Sequence, residues 1–330
     1  MAQRARSDDT AGVIAEIYAL GTGPWTMAPV TRGALGQIWK LSGNGRSWAV
    51  KELLFGCDEA QVAREAALRD AAADLGIASP RLHPARHGAH VSRLDSPGGG
   101  PWVKLYDWID GAPADVCDPD VLDWFGRTMA LLHQAGEGAV ESPGDWYERC
   151  PDDADWEDVL KKVRDAGLPW SDELDRFVAT SAPQLAHWVT PSAPGGLVTS
   201  HLDLQPQNVL VGRDGPVLLD WDNAGPVSAE REFARAVYVW SGGSDVNITS
   251  ARRLARAYHE AGGRALLTGP ESFSLLFATA LNYIHVQAET AVDTAVTAEQ
   301  REFGARQAVT WLRDAPDLAA VSLLVAALDT

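Results

Sequence analysis

Two short β-branched runs, Val209-Leu-Val211 and Val217-Leu-Leu219, flank the turn signal Gly212-Arg-Asp-Gly215, and this pattern constrains the fold more than any other segment. Such runs around a glycine-bracketed turn form a β-hairpin. With the hairpin centred near Asp214, Asn208 and Asp220 face each other at its open end. Paired residues in such a ladder lie roughly 5 Å apart. An amide oxygen and a carboxylate at that spacing can share one divalent cation, and hard oxygen donors suit Mg²⁺. Upstream, His201-Leu-Asp203-Leu-Gln-Pro-Gln-Asn208 leads into the hairpin, which lets Asp203 face whatever the metal holds. The layout is that of a phosphoryl-transfer site.

At 330 residues the chain can bury a large core and divide into two lobes. Its 46% hydrophobic and 22% charged content is that of an ordinary globular protein. A formal net charge of −17 argues against a nucleic-acid or anionic-membrane partner and is compatible with a cationic substrate, although acidity also serves solubility. Cys57, Cys117 and Cys150 stand far apart, a spacing expected of free thiols rather than of a disulfide frame or zinc site. No apolar stretch follows Arg4 and Arg6, and no run approaches the ~18 residues of a membrane span, so a cytoplasmic protein is expected.

Asp9 or Thr10 is expected to cap a short helix carrying Val13, Ile14 and Ile17 on one face. Gln37–Leu41 and Ser47–Lys51, joined by Gly43-Asn-Gly45, read as a hairpin. A helix follows over Asp58–Leu75, then a glycine-rich loop at 96–100 and a strand at Pro101–Tyr106. Beyond 107–113 helical periodicity takes over, with helices expected at Asp120–Gln134, Ala154–Ala166, Ala229–Trp240 and Glu271–Val292. Thr297 with Gln300 forms a capping box opening a helix that runs to Asp314, where Pro316 follows. His133 lies on the apolar stripe of its helix and reads as a core histidine.

His201–Asn208, the following Val217–Gly225 (VLLDWDNAG) and the upstream Trp-Ala-Val-Lys51 together resemble the aminoglycoside phosphotransferase family, which also includes choline, homoserine and macrolide kinases. Gly126–His133 and Leu281-Asn282-Tyr283 resemble further family segments, in order. The resemblance implies an α+β, bilobal, protein-kinase-like fold. Its nucleotide-binding lobe would span 1–106, its connector 107–113, and its larger helical lobe 114–330. It also implies ATP or GTP with Mg²⁺ as cofactors. By position, Asp203 would orient the acceptor hydroxyl and take its proton, and Asn208 and Asp220 would hold the metal. Lys51 would neutralise phosphate charge, paired with Glu65 of the following helix or, in competition, Glu59. Gly33 and Gly36 would border the phosphate loop, and Tyr106 and Trp108 would contact the nucleotide. His201 would pack and hydrogen-bond the catalytic loop.

Three departures and one enrichment refine that reading. Leu202 replaces both the glycine frequent in the family and the arginine with which protein kinases grip an activation-loop phosphate. Little room exists for such a loop between Asp220 and Ala229, which favours a small-molecule acceptor over a protein. Trp221 replaces the residue usual after the metal aspartate, and Asp222 would either contact a second metal or cap the Gly225-Pro226 turn, the cap being preferred. The segment Asp145–Asp158 interleaves carboxylates, among them Asp153 and Asp155, with Trp146, Tyr147 and Trp156. It is either a cation-binding surface or an acidic helix start. Tyr283, His285 and Glu289 are further acceptor candidates. The expected activity is phosphorylation of a hydrophilic, cationic acceptor such as an aminoglycoside-type antibiotic. The alternatives are a macrolide or primary-metabolite kinase (choline, homoserine, a sugar) and, in another class, a nucleotide-binding pseudokinase.

Overall fold

In the computed structural model, described for residues 2–33, 36–54, 56–95, 100–193 and 195–328, the chain divides into two compact units. The first comprises Met1–Ala114 with Gln207–Gly225, and the second Asp115–Pro206 with Pro226–Thr330. The chain opens with α1 (Ala2–Ile17), β1 (Thr26–Arg32), β2 (Gly36–Gly43), β3 (Arg46–Leu53) and α2 (Glu59–Asp74). It continues through β4 (Leu82–His83), β5 (Ser92–Arg93), β6 (Trp102–Asp107) and β7 (Gly111–Pro113). Next come α3 (Pro119–Ala135), α4 (Asp145–Glu148), α5 (Asp153–Asp165), α6 (Ser171–Ala186) and β8 (Leu197–Ser200). After β9 (Val209–Gly212), β10 (Gly215–Leu218) and β11 (Gly225–Ser228), five α-helices follow among the described residues. These are α7 (Ala229–Trp240), α8 (Ile248–Glu260), α9 (Ser274–Val292), α10 (Ala298–Arg313) and α11 (Leu318–Leu328).

The first unit is built on the antiparallel order β1-β2-β3-β6-β4, with β5 paired to β6. The β2–β3 turn is a two-residue Asn44-Gly45 connection with φ of 53° and 72°, positive at both positions as a twist-matched hairpin turn requires. Asp58 caps α2 by accepting from the amides of Ala60 and Gln61, and the helix ends before Leu75, as its periodicity predicts. At α1 the reading differs. The helix begins at Ala2, so Asp9 and Thr10 are interior, and the buried face carries Ala11 and Ile14 while Val13 is largely exposed. Ile14, Tyr18, Leu41, Val50 and Leu105 belong to one apolar cluster behind the sheet.

The 207–225 hairpin belongs to this first unit, although the sequence reading grouped it with the helical part. Its strand β9 is flanked by β10 and by β7, so residues of the expected connector itself hold it. The register also differs by one residue from the expectation. Gly212 pairs with Gly215 around an Arg213-Asp214 turn, and the ladder continues with the Leu219 amide donating to the Asn208 carbonyl at 2.8 Å. Asn208 therefore stands opposite Leu219, not Asp220, and such a slip reverses the face a side chain takes.

The second unit is helical. Phe125 of α3 stacks on Trp240 of α7 at 4.0 Å between ring centres, and Phe233 of α7 stacks on Tyr258 of α8 at 4.5 Å. Gly126 allows α3 and α8 to approach, since a Cβ there would lie 2.5 Å from the Leu254 carbonyl oxygen. Both halves of the predicted Thr297–Gln300 capping box are made. Cys57, Cys117 and Cys150 are free thiols. Among the described residues no helix is long and apolar enough to cross a membrane. Of the glycine-rich loop, 96–99 fall outside the described residues, as do 34 and 35 of the predicted phosphate loop.

Candidate active site

In the first unit, register places two lysines side by side. Lys51 of β3 pairs directly across from Lys104 of β6, so both project from the same face of the sheet. Both are buried, which strongly disfavours a bare ammonium and demands carboxylate partners. Lys51 Nζ lies 2.6 Å from Asp220 Oδ1 and 2.8 Å from Asp222 Oδ2. Lys104 Nζ lies 2.8 Å from the other Asp222 oxygen and 2.6 Å from Glu65 Oε2. Glu65 is 0% exposed; the Tyr106 hydroxyl donates to it at 2.9 Å, and Arg69 stands 3.8 Å away. Burial alone would push the Asp222 carboxyl up, but the two ammonium groups outweigh it and hold it at about 2. Burial likewise opposes charge on both lysines, yet the carboxylates beside them leave each above its ordinary range.

This geometry corrects two expectations. Among the described residues Lys51 pairs with neither Glu65 nor Glu59. Glu65 is taken by Lys104 and Tyr106, and Glu59 is exposed in the first turn of α2. Asp222 does not cap the following turn, because both its oxygens are engaged by lysines. The turn is held instead by Gln61 of α2, whose side-chain amide donates to the carbonyls of Asp222 and Ala224 at 2.8 and 2.7 Å. Trp221 is fully buried with the Arg69 guanidinium 5.3 Å from its ring, and so anchors the segment.

Asp220 has φ of 56°, which turns the chain out of the β10 extension and directs its carboxylate to Lys51. Its side chain remains 42% exposed. At Gly36 an added Cβ would meet Lys51 Cε at 3.0 Å, so the glycine leaves space for the lysine stem. The Gly33 amide donates to the Gly36 carbonyl at 2.9 Å across the turn. Trp108 donates to Asp110 at 2.7 Å and carries the Lys40 ammonium 4.2 Å from its ring centre.

In the second unit the Asp203 loop is held by its backbone. Leu202 has φ of 64°, a left-handed conformation that glycine adopts without steric cost and leucine does not. Two side chains of α7 fix it: the Leu202 amide donates to Glu232 Oε1 at 2.7 Å, and Arg235 donates to the Leu202 carbonyl at 2.8 Å. Arg235 also reaches Asp203 Oδ1 at 3.2 Å, and Gln205 donates to the same oxygen. The second Glu232 oxygen meets His133 Nε2 at 2.9 Å, and His133 Nδ1 meets the Tyr258 hydroxyl at 2.8 Å. His133 is thus the hydrogen-bonded core histidine its position predicts, and Glu232, despite full burial, is held below its ordinary range by His133 and the loop. His201 is fully buried and accepts from the Asp203 amide at 3.2 Å.

The acceptor candidates divide. Burial pushes the phenols of Tyr147 and Tyr283 up to about 12; the Asp203 charge adds to both shifts, while at Tyr147 the Arg235 cation opposes it more strongly, and both are neutral donors. Tyr283 also bonds Gln307 at 3.2 Å and packs on Trp311. Several carboxylates of the acidic segment are spent on local structure: Asp152 and Asp155 close a capping box on α5, Asp145 and Asp158 pair with Arg149 and Lys162 one turn on, and Glu148 pairs with Arg231 and accepts from the Ser192 hydroxyl. Asp153 is exposed in that first turn. Trp156 is a core residue, edge-on to Phe177 and His285. Glu289 pairs with Lys162 at 3.3 Å. Lys104 and Arg235 escaped the sequence reading. Each is a cation inside an otherwise apolar run, the one available signal.

The family model for the phosphotransferase enzyme family matches residues 26–271. The chain belongs to that family. It is a phosphotransferase by family, and its two units have the α+β, kinase-like fold. Among solved structures, spectinomycin phosphotransferase in complex with ADP and spectinomycin aligns at 13% identity over 97% of this chain and 98% of its own, with a TM-score of 0.65. A microcompartment-associated aminopropanol kinase aligns at 16% identity over 92% and 95%, with a TM-score of 0.56. Choline kinase from Cryptosporidium parvum Iowa II aligns at 12% identity over 92% of each chain, with a TM-score of 0.53. At these identities the likeness establishes the fold. No curated protein matches the sequence.

Proposed function

We propose that this phosphotransferase is a small-molecule kinase that moves the γ-phosphoryl group of ATP or GTP to a hydroxyl of a hydrophilic, cationic acceptor. The observation that carries the reading is the Asp203 loop, clamped at the Leu202 amide and carbonyl so that one carboxylate is presented in a fixed pose. Such preorganisation suits a reaction with a loose transition state, where positioning and charge stabilisation dominate. Asp203 orients the hydroxyl and accepts its proton. Lys51 neutralises phosphate charge.

Asn208 and Asp220 would hold Mg²⁺, and their donor chemistry fits. They offer an amide oxygen and a carboxylate, and among the described residues no group of three or more His, Cys, Asp or Glu side chains could hold a metal alone. Mg²⁺ is commonly held by one or two carboxylates together with substrate phosphates. When bound, it supplies charge neutralisation at the phosphate oxygens. Tyr147 and Tyr283, as neutral phenols near a carboxylate, offer donors and aromatic faces suited to an ammonium-bearing acceptor. The net charge of −17 favours the same class.

An antibiotic acceptor is supported by the spectinomycin-bound neighbour, and a primary-metabolite acceptor by the aminopropanol and choline kinases. A coupled ADP-release assay over aminoglycosides, amino alcohols and sugars, followed by mass spectrometry of the product, separates them. Asp203→Ala is expected to lower turnover by about 10²- to 10⁴-fold while Mg·ATP binding survives. Undiminished turnover in that variant overturns the mechanism.

A further inference from the structure

Lys104 has no part in the mechanism above, yet it is 2% exposed and bonded to two carboxylates. Its position is set by sheet register, directly opposite Lys51. Between the two ammonium groups lies the Asp222 carboxylate, one oxygen on each, at 2.8 Å. Lys51 therefore has two carboxylate partners of different kinds. Asp220 is 42% exposed and is the proposed metal ligand, whereas the Asp222 side chain is 12% exposed and pinned from its far side.

We infer that Lys104 is a positioning residue for the phosphate-binding lysine, acting through Asp222. This rests on the kinase reading and adds to it. If Asp220 turns to a metal, Asp222 alone holds Lys51, and Asp222 is directional only while Lys104 occupies its second oxygen. Glu65 completes the device. Its carboxylate is saturated by Lys104 and the Tyr106 hydroxyl, so it anchors Lys104 and does not compete for Lys51. The cluster of Lys51, Lys104 and Arg69 with Glu65, Asp220 and Asp222 is charge-balanced, which makes this burial tolerable.

The test compares Mg·ATP with adenosine, which lacks phosphates, by titration calorimetry. Removing a charge-assisted hydrogen bond is worth about tenfold to a hundredfold in affinity. Lys104→Met is expected to weaken Mg·ATP by that factor and leave adenosine unchanged. A merely structural role would weaken both together. Because Lys104→Met strands a buried carboxylate, Lys104→Met with Glu65→Gln is measured alongside, to keep the fold balanced. The phosphate-specific loss should persist there, and full recovery would overturn the inference. Asp222→Asn should produce the same loss, with no further loss on adding Lys104→Met; independent, additive losses would also overturn it. A wild-type protein that binds no Mg·ATP overturns this inference together with the kinase reading. Mg·ATP binding undiminished in Lys104→Met overturns the inference alone.

Discussion

The Lys51–Asp222–Lys104–Glu65 cluster and the Asp203 loop are both buried polar arrangements, but they are restrained by different physics. In the first, two lysines paired across adjacent strands are held by carboxylates from α2 and from the segment after β10, and each ion pair depends on the protonation of its members. In the second, the restrained object is the backbone of Leu202, gripped at its amide and carbonyl by one helix. A binding surface for a charged group can be set by balanced charge. A group that must meet a reacting atom needs its main chain fixed.

Removing the centre of the loop clamp should produce the largest effect. Glu232→Ala leaves the Leu202 amide and His133 without their buried partner, at a cost of about 3–5 kcal/mol in urea unfolding. Transfer should fall while Mg·ATP affinity holds, and an equal fall in both would erase the distinction between the regions. Leu202→Gly is expected to be smaller. Relief of the left-handed backbone returns about 1–2 kcal/mol, but loss of a buried leucine costs about 2–5, for a net destabilisation of about 0–4 kcal/mol. A stabilised Leu202→Gly would mean that the clamp opposes the loop's own preference more strongly than its packing supports it.

The charged cluster should reveal itself in pH. Asp222 is depressed from 3.8 to about 2, so its contribution is present above 3.8 and is lost as pH falls towards 2, worth about 2 kcal/mol. Lys51 and Lys104 are raised, so their contributions are complete below 10.5 and are lost as pH rises through the folded-state values. Asp222→Asn should flatten the acid limb of stability against pH, whereas Glu232→Ala should leave the Asp222 part of that limb in place. Outside both regions, Asp152→Ala removes one half of the α5 capping box and should cost about 1 kcal/mol in thermal unfolding. A changed acceptor KM in that variant would draw the acidic segment back into the site.

Elements set by local interactions were legible in the residues themselves. The 3.6-residue apolar stripes and capping side chains marked α2, α7 and α10 to within a residue or two at each end, and Asn44-Gly45 marked a hairpin turn. The catalytic-loop pattern likewise carried Asp203, Asn208 and Asp220 as candidates. Each of these depends on neighbours within a few positions along the chain.

Ion-pair partners were not legible, because they are chosen across the fold. Glu65, Asp220 and Asp222 are all chemically competent for Lys51, and only the β3–β6 register, which sets Lys104 beside Lys51, assigns Glu65 to one lysine and leaves Asp222 between both. A one-residue slip in the β9–β10 turn likewise changed which residue faces Asn208. The sequence by itself determined the types of the longer elements, the turn chemistry and the candidate reacting groups, since these follow from local backbone preference and side-chain identity. Tertiary structure alone decided which charges meet, because a buried charge takes whichever partner strand register brings within hydrogen-bonding distance.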